Sequence, residues 1–310
     1  MVYGADITRP EQRGLLAINK GDLALLFDMD LRRLIGPFEV TTNLYYIDTS
    51  FWRNSRWHYV IGLEPASYDV GVIQGRGLLD LVIERGKLSL RDTMSIISYW
   101  IHTLILDEAK GILEGFLDNA SFKNLESLAR EDYSVKNIES SIEWTRKAKP
   151  MKNHVCLVVN HKSRIPEYAL EASLILDRGF TGKLLPTQNY RLATGVYVYS
   201  NRFLDTLLFS EDPLWLSVIE VKTKINNKRD FDHALEQVSY YAYTISRAFN
   251  ISASRIQPRV VTSYINPSID LEDTIESKAS TYGLRDDLYR IHEVEPSCAE
   301  GSIHVKSINH

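Results

Sequence analysis

The stretch LWLSVIEVKTKI, residues 214–225, constrains the fold more than any other part of the sequence. Its interior is almost entirely apolar, which is typical of a strand whose two faces are both covered. A second apolar run at 203–209 precedes it, and the segment SEDP at 210–213 has the composition of a turn. The sequence therefore predicts two neighbouring strands in the middle of a sheet.

Helical patterns surround this pair of strands. Apolar residues recur at helical spacing in 165–180, 230–250 and 270–284. Runs rich in β-branched and aromatic residues, typical of strands, lie at 189–209 and 259–265. An alternation of helices and buried strands is typical of a layered fold. We therefore predict the α/β fold class, with a mixed sheet at the centre of the second half.

The first half of the chain has a different pattern. Residues 1–64 are typical of short strands and turns, and helical spacing begins near residue 91. A further helix is predicted at 137–149, followed by a strand at 154–161, HVCLVVNH. These changes predict a β-rich domain at 1–85, a helical connector at 86–150 and an α/β domain at 151–310.

The composition of the 310-residue chain narrows its class further. With 44% hydrophobic and 25% charged residues, it has the balance of a globular protein. No apolar run approaches the roughly 20 residues of a membrane span, and the N-terminus does not resemble a signal peptide. Two cysteines are too few for a disulfide framework or a zinc cluster. We expect a cytoplasmic protein with no membrane partner, whose net charge of −4 leaves room for a local basic cleft.

Three charged residues interrupt the predicted central strands. Asp205 lies near the start of the first, and Glu220 and Lys222 lie near the end of the second. Residues two apart on a strand share a face, and the turn brings Asp205 to the same edge. Two close carboxylates repel each other unless a cation neutralises them, and Mg²⁺ or Mn²⁺ takes oxygen ligands. With a lysine beside the ion, this set suits hydrolysis of a phosphodiester.

Asp205 is followed 15 residues later by Glu220, the first residue of a Glu-x-Lys triplet. This pattern resembles that of the PD-(D/E)XK nuclease superfamily. The RecB-like and NucS-like branches are the most similar, and the resemblance covers about residues 160–290. It implies a nuclease core in which Asp205 and Glu220 hold Mg²⁺ or Mn²⁺. The carbonyl of Val221 would be a third ligand, and Lys222 would assist the attacking water.

The helix after these strands extends the resemblance. Its segment QVSYY, 237–241, matches the Gln-x-x-x-Tyr pattern of RecB-like nucleases, in which the glutamine lies close to the active site. Gln237 and Tyr241 are four apart and share a helical face. The superfamily also has an acid on the helix before the sheet. Glu167 and Glu171 are the candidates, and we favour Glu167 as the catalytic residue.

Residues 19–63 resemble the PUA-like group that includes EVE, YTH and DCD-type domains. The shared features are a Gly-Asp pair entering a strand, the segment GPFEV, and a later strand led by aromatic residues. Such domains often hold a flipped, modified base in an aromatic cage. The resemblance implies that a base stacks on aromatic residues of this segment, for which the candidates are Tyr45, Tyr46, Trp52 and Trp57. Tyr241 is a further candidate contact to DNA.

Together these features predict a Mg²⁺-dependent DNA endonuclease whose first domain directs it to modified bases, as in modification-dependent restriction. Cutting both strands of a duplex needs two active sites, so we expect a homodimer. Two alternatives stay open. One is a NucS-like repair nuclease for mismatched or branched DNA, and the other is a DNA-binding module of nuclease-like fold that performs no chemistry.

Overall fold

The computed structural model describes residues 2–28, 33–48, 57–74, 107–124, 148–161, 164–187, 189–198, 202–211, 213–299 and 302–308. The chain divides into two compact units, Met1–Met151 and Lys152–His310. The predicted helix at 137–149 and most of the predicted connector lie outside the described residues. The assignment of the first unit as PUA-like stays a prediction.

The first unit is built on one sheet with the order β7-β6-β3-β5-β4-β8, to which β1 adds by pairing with β5 and β2 by pairing with β3. A 3₁₀ turn, Pro10–Ala17, follows β1, and helix α1, Asp107–Asn119, precedes β7. The strands are β1 Val2–Ala5, β2 Leu23–Asp28, β3 Arg33–Val40, β4 Tyr45–Tyr46, β5 Tyr59–Pro65, β6 Asp69–Gln74, β7 Ser121–Asn124 and β8 Lys149–Pro150.

One close contact in this unit explains a glycine. Gly71 on β6 lies under α1, where an added Cβ would come within 2.7 Å of the ring of Phe116 and 2.9 Å of Ala120. Phe116 is fully buried at this contact. The absence of a side chain at 71 therefore allows the helix to pack directly on the strand.

The second unit contains a mixed six-stranded sheet with the order β14-β13-β12-β11-β10-β9. Strands β11, β12 and β13 are parallel to one another, and the other neighbouring pairs are antiparallel. This arrangement confirms the predicted α/β fold class. The strands are β9 Arg191–Tyr197, β10 Phe203–Glu211, β11 Leu214–Lys222, β12 Ile256–Thr262, β13 Arg290–Ala299 and β14 Ser302–Ile308.

Helix α2, Met151–His161, begins at the boundary between the two units. The other α-helices described in the second unit are α3 Glu167–Leu176, α4 Arg178–Thr181, α5 Lys228–Phe249 and α6 Glu272–Tyr282. The predicted strand HVCLVVNH is wrong, because its residues form α2. A short apolar run rich in valine fits a buried helix as well as a strand, and periodicity alone does not separate the two. Cys156 of α2 forms a disulfide with Cys298 of β13, so the two cysteines make one bridge.

Helix α5 positions part of the candidate site. The side chain of Asn227 caps its first turn by accepting from the backbone N–H of Asp230 at 3.0 Å. Asn250 ends the helix in the left-handed conformation that asparagine tolerates. Its buried residues, including Phe231, Leu235 and Val238, cover β11 and β12. The same helix carries Gln237 and Tyr241.

In the part of the chain that the structure describes, no helix has the length and apolar character needed to cross a membrane. The cytoplasmic location stays a prediction.

We expect the central strands to tolerate truncation poorly. Leu208 on β10 is fully buried, so Leu208→Ala should reduce the free energy of unfolding by about 2–5 kcal/mol through lost apolar burial and a cavity. Leu214 at the start of β11 is 37% exposed, and Leu214→Ala should cost less than about 1 kcal/mol. Urea denaturation, monitored by circular dichroism, measures the free energy of unfolding of both variants. Equal losses would contradict this placement of the core.

Candidate active site

The hairpin of β10 and β11 brings the two acids of the predicted motif together. Its antiparallel register pairs Thr206 with Ile219. One residue further along, Asp205 and Glu220 are therefore opposite each other and share a face of the sheet. Oδ2 of Asp205 accepts a hydrogen bond from the backbone N–H of Val221 at 2.8 Å. This bond fixes the carboxylate of one strand against the backbone of the next.

Lys222 completes the group at the end of β11. It is two residues beyond Glu220, so both side chains are on the same face. Its Nζ donates a close hydrogen bond to Oε1 of Glu220, and the glutamate side chain is only 3% exposed. Asp205 is also buried, at 6% exposure. The structure thus places two buried carboxyl groups and one ammonium group at one edge of the central sheet.

The electrostatics of this group favour an additional cation. Burial and the charges of Asp205 and Glu167 raise the pKa of Glu220, and Lys222 opposes them without cancelling them, so that the pKa is about 8. Burial alone would lower the pKa of Lys222, but the charges of Glu220 and Asp205 outweigh burial and raise it. The lysine therefore stays charged, while Glu220 holds a proton until more positive charge is nearby.

Two buried oxygen atoms mark where a ligand would fit. Within the described residues, Oε2 of Glu220 and Oε1 of Gln237 have no hydrogen-bond partner. Leaving a buried polar atom unsatisfied costs about 1–3 kcal/mol. Native proteins retain such atoms mainly where they bind something, so both oxygens are available to a ligand or a water molecule.

Tyr241 lies beside the acids. Burial raises the pKa of the Tyr241 hydroxyl, as do Glu220 and Asp205, while Arg202 and Gln237 lower it. These interactions place the hydroxyl beside the acidic group. The side chain is only 2% exposed, so its ring is packed in the interior next to the site and is not available for a base to stack on.

The structure distinguishes the two candidate acids of α3. Glu167 at the first turn is half-buried, and its charge acts on the pKa values of both Glu220 and Lys222. Glu171, one turn later, is fully buried and accepts a hydrogen bond from Oγ1 of Thr206 at 3.4 Å. Thr206 is on the opposite face of β10 from Asp205. Of the two, Glu167 is placed to act on the acidic group.

Arg202 is a residue of this region that the sequence analysis missed. It directly precedes β10, its charge acts on the hydroxyl of Tyr241, and its guanidinium lies 4.7 Å from the ring centroid of Tyr240. A single arginine before a strand has no distinguishing pattern, and only the packing of α5 beside β10 reveals the contact.

The aromatic residues predicted to hold a base lie in the first unit. Tyr45 packs against the buried pair Ile47 and Val60. Tyr46, its neighbour on β4, has its ring centroid 5.9 Å from that of His58 in a stacked arrangement. Trp57 is half-buried, and Trp52 lies outside the described residues. Since successive strand residues face opposite ways, Tyr45 and Tyr46 cannot both line one cage.

Whether a metal ion fits this site depends on the ligand atoms that its side chains offer. Among the described residues, no group of three or more His, Cys, Asp or Glu side chains is arranged to hold a metal ion. Mg²⁺, however, commonly binds one or two protein carboxylates and keeps several waters. Asp205 and Glu220 supply such carboxylates, and the unsatisfied Oε2 of Glu220 is an available oxygen ligand. The residues present therefore fit a hard divalent cation.

Comparisons with known proteins add little to this geometry. No protein-family model matches the sequence, and no curated protein matches it. Among solved structures, the chain is similar to SfsA of Pyrococcus furiosus in complex with Ca²⁺, with a TM-score of 0.26 and 11% identity over 45% of this chain. The match spans 60% of the SfsA chain. Similarity this low carries no argument, and the proposals below rest on the side chains of this protein.

The raised pKa of Glu220 predicts a pH dependence of stability. An unfolded glutamate releases its proton near pH 4.5, whereas the folded protein retains it to about pH 8. Between these values the unfolded chain binds fewer protons, so the free energy of unfolding should fall as pH rises. Glu220→Gln has a neutral side chain at every pH in this range, so its free energy of unfolding should fall less than that of the wild type. Urea denaturation in the absence of divalent metal measures both proteins.

Glu272→Gln is the matched control for this experiment, because it removes an exposed acid on α6. It should retain the wild-type slope between pH 5 and about pH 8. If Glu220→Gln also retains the full slope, Glu220 does not carry the proton.

Proposed function

We propose that this protein is a metal-dependent endonuclease that hydrolyses phosphodiester bonds in DNA. The observation that carries the proposal is the convergence of Asp205, Glu220 and Lys222 on one face at the edge of a buried hairpin. Burying these charges is costly, and two carboxyl groups beside an ammonium group suit binding of a hard cation and a phosphate. Arrangements of perturbed, buried ionisable groups are characteristic of functional sites.

Asp205 and Glu220 would hold Mg²⁺ or Mn²⁺, with the carbonyl of Val221 as a third ligand. When bound, such an ion polarises a phosphoryl oxygen and lowers the pKa of water. The hydrogen bond from Val221 to Asp205 keeps one carboxylate in place, and the hydrogen bond from Lys222 orients the carboxyl group of Glu220. The protein thereby fixes both ligands before the substrate arrives.

The remaining residues act on the water and the phosphate. Lys222 places an ammonium group where negative charge develops during the displacement. The unsatisfied Oε1 of Gln237 can accept a hydrogen bond from a water molecule and orient it. Glu167 adds negative charge beside the same group and would strengthen binding of the ion. Tyr241, one helical turn after Gln237, is buried beside the same group.

Selection of the target would belong to the first unit. Tyr46 and Trp57 are the described aromatic residues that could contact an extruded modified base, as in modification-dependent restriction. A duplex cut would require two copies of the chain, and we propose a homodimer.

Substitution at the acidic group should abolish cleavage without unfolding the protein. Asp205→Ala and Lys222→Ala should each reduce the cleavage rate by about a hundredfold or more in Mg²⁺ or Mn²⁺, because each removes a charge that acts in the transition state. Cleavage of labelled duplexes measures the rates. Lys224→Ala removes an exposed lysine two residues further along and should leave the rate unchanged.

The substrates for these assays should be methylated, hydroxymethylated, mismatched, flapped and unmodified duplexes. Cleavage confined to modified DNA supports targeting by the first unit. Cleavage of unmodified mismatches or flaps, with modified duplexes ignored, would instead identify a repair nuclease. Binding of DNA with no cleavage of any substrate, by a folded wild type in either metal, would contradict the proposal and identify a binding module.

Metal binding should release a proton. Glu220 holds its proton at pH 7 because of burial and of Asp205, and it must lose the proton to bind an ion. Titration calorimetry with Mn²⁺ in two buffers of different ionisation enthalpy should therefore show proton release at pH 7 and less at pH 9. Glu220→Gln should abolish it. Binding with no proton release in the wild type would show that Glu220 holds no proton that the ion displaces.

A further inference from the structure

The opposite face of the same sheet carries a second polar group. Arg259 on β12 is in register with Ile219 on β11 and with Arg290 on β13. Ile219 directly precedes Glu220, so Arg259 is on the face away from the acids. His292, two residues after Arg290, is on that face too. We call Arg259, Arg290, His292 and Gln257 the arginine cluster.

Arg259 is a buried cation without an acidic partner. It is 7% exposed, and it makes no ion pair with a carboxylate among the described residues. Its Nη1 bonds to Nε2 of His292 at 2.7 Å, its Nη2 donates to Oε1 of Gln257 at 2.6 Å, and its Nε has no partner. Buried charges in proteins are normally paired. The missing component is therefore an anion.

The hydrogen bonds inside the cluster leave only donors for a ligand. Because guanidinium nitrogens only donate, Nε2 of His292 must accept, and the imidazole is neutral with its proton on Nδ1. Gln257 accepts through its carbonyl oxygen, which leaves its amide N–H groups. Arg290 donates through Nη1 to the backbone carbonyls of Asp287 and Tyr289 and retains its other N–H groups. A ligand made of acceptors matches this set.

The electrostatics agree with this geometry. Burial, together with the charge of Arg290, lowers the pKa of Arg259 to about 10. Burial also lowers the pKa of His292 to about 4, with Arg259 and Arg290 acting in the same direction. The region therefore has a positive potential that a bound anion would relieve.

The cluster also extends to the protein surface. Arg290 is exposed, and Gln257 and His292 are half-buried, so the polar groups extend from the protein surface to the buried guanidinium. On the inner side, Phe180 of α4 packs edge-on against His292, with ring centroids 6.4 Å apart. An apolar wall beside the donors strengthens their interaction with an anion, because it excludes water.

We propose that the arginine cluster binds a phosphate group, carried either by a small phosphate monoester or by a nucleic-acid backbone. Arginine is well suited to phosphate because its planar N–H groups match the oxygens of the anion. Two arginines, an imidazole N–H and an amide provide donors from several directions, which suits the tetrahedral arrangement of phosphate oxygens. This site does not depend on the proposed hydrolysis, since it uses none of the same residues.

The test is titration calorimetry of the full chain with inorganic phosphate at constant ionic strength. The wild type should bind, and Arg259→Gln should weaken binding by about tenfold or more because it removes a charge-assisted interaction. Arg255→Gln should bind as the wild type does, because Arg255 is exposed and lies over the ring of Trp215, 5.2 Å from its centroid. Arg290→Gln, at an exposed position, gives an independent result if Arg259→Gln does not fold.

Nuclear magnetic resonance of His292 gives a second readout, since its ring signals should shift on addition of phosphate in wild type and in Arg255→Gln. A 5′-mononucleotide and a short single-stranded oligonucleotide then distinguish the sources. Only the binding that Arg290→Gln weakens is assigned to the arginine cluster, because DNA would also bind at the proposed nuclease site. If that binding is tighter for the oligonucleotide, it indicates a backbone phosphate, and equal or weaker binding indicates a monoester. The proposal is overturned if phosphate does not bind the wild type, or if folded Arg259→Gln and Arg290→Gln bind it unchanged.

Discussion

The candidate site depends on one hydrogen bond, from the backbone N–H of Val221 to the carboxylate of Asp205. This bond holds a buried acid at the point where β10 and β11 run side by side, directly opposite Glu220. The position would be unfavourable for two ionised carboxylates, and the proton on Glu220 and the ammonium group of Lys222 reduce their repulsion. The cost of burying these groups is the physical reason to expect that a cation binds between them.

The central strands separate two kinds of chemistry by the alternation of side chains. On one face, Glu220 and Lys222 belong to an acidic group that favours a cation. On the other, Arg259 belongs to a basic group that favours an anion. Ile219 is in register with Arg259 and shares its face. Because side chains alternate along a strand, Glu220, the next residue of β11, is on the opposite face. The sheet can therefore hold the acids and Arg259 on neighbouring strands, with its own backbone layer between the opposite charges.

Sequence patterns predicted the parts of this protein that depend on local spacing. The apolar runs around 210–213 identified the hairpin, the Glu-x-Lys triplet placed two charges on one face, and helical spacing placed Gln237 one turn before Tyr241. Sequence patterns failed where a helix and a strand have the same apolar pattern. The valine-rich segment at 154–161 forms α2, and Cys156 pairs with a cysteine 142 residues away. Arg202 and the arginine cluster had no pattern at all.

The sequence by itself determined the fold class, the strands and helices near the site, and the residue types that favour a divalent cation. Those features follow from periodicity and from the preferences of single side chains, which act over a few residues. Only the tertiary structure decided which groups are buried together. It placed Glu167 rather than Glu171 near the acids and buried Tyr241 beside them. It also placed Arg259 beside Arg290, with no carboxylate paired to Arg259 among the described residues. A pKa shift or an unsatisfied donor is a property of the surroundings, and those surroundings come from distant parts of the chain.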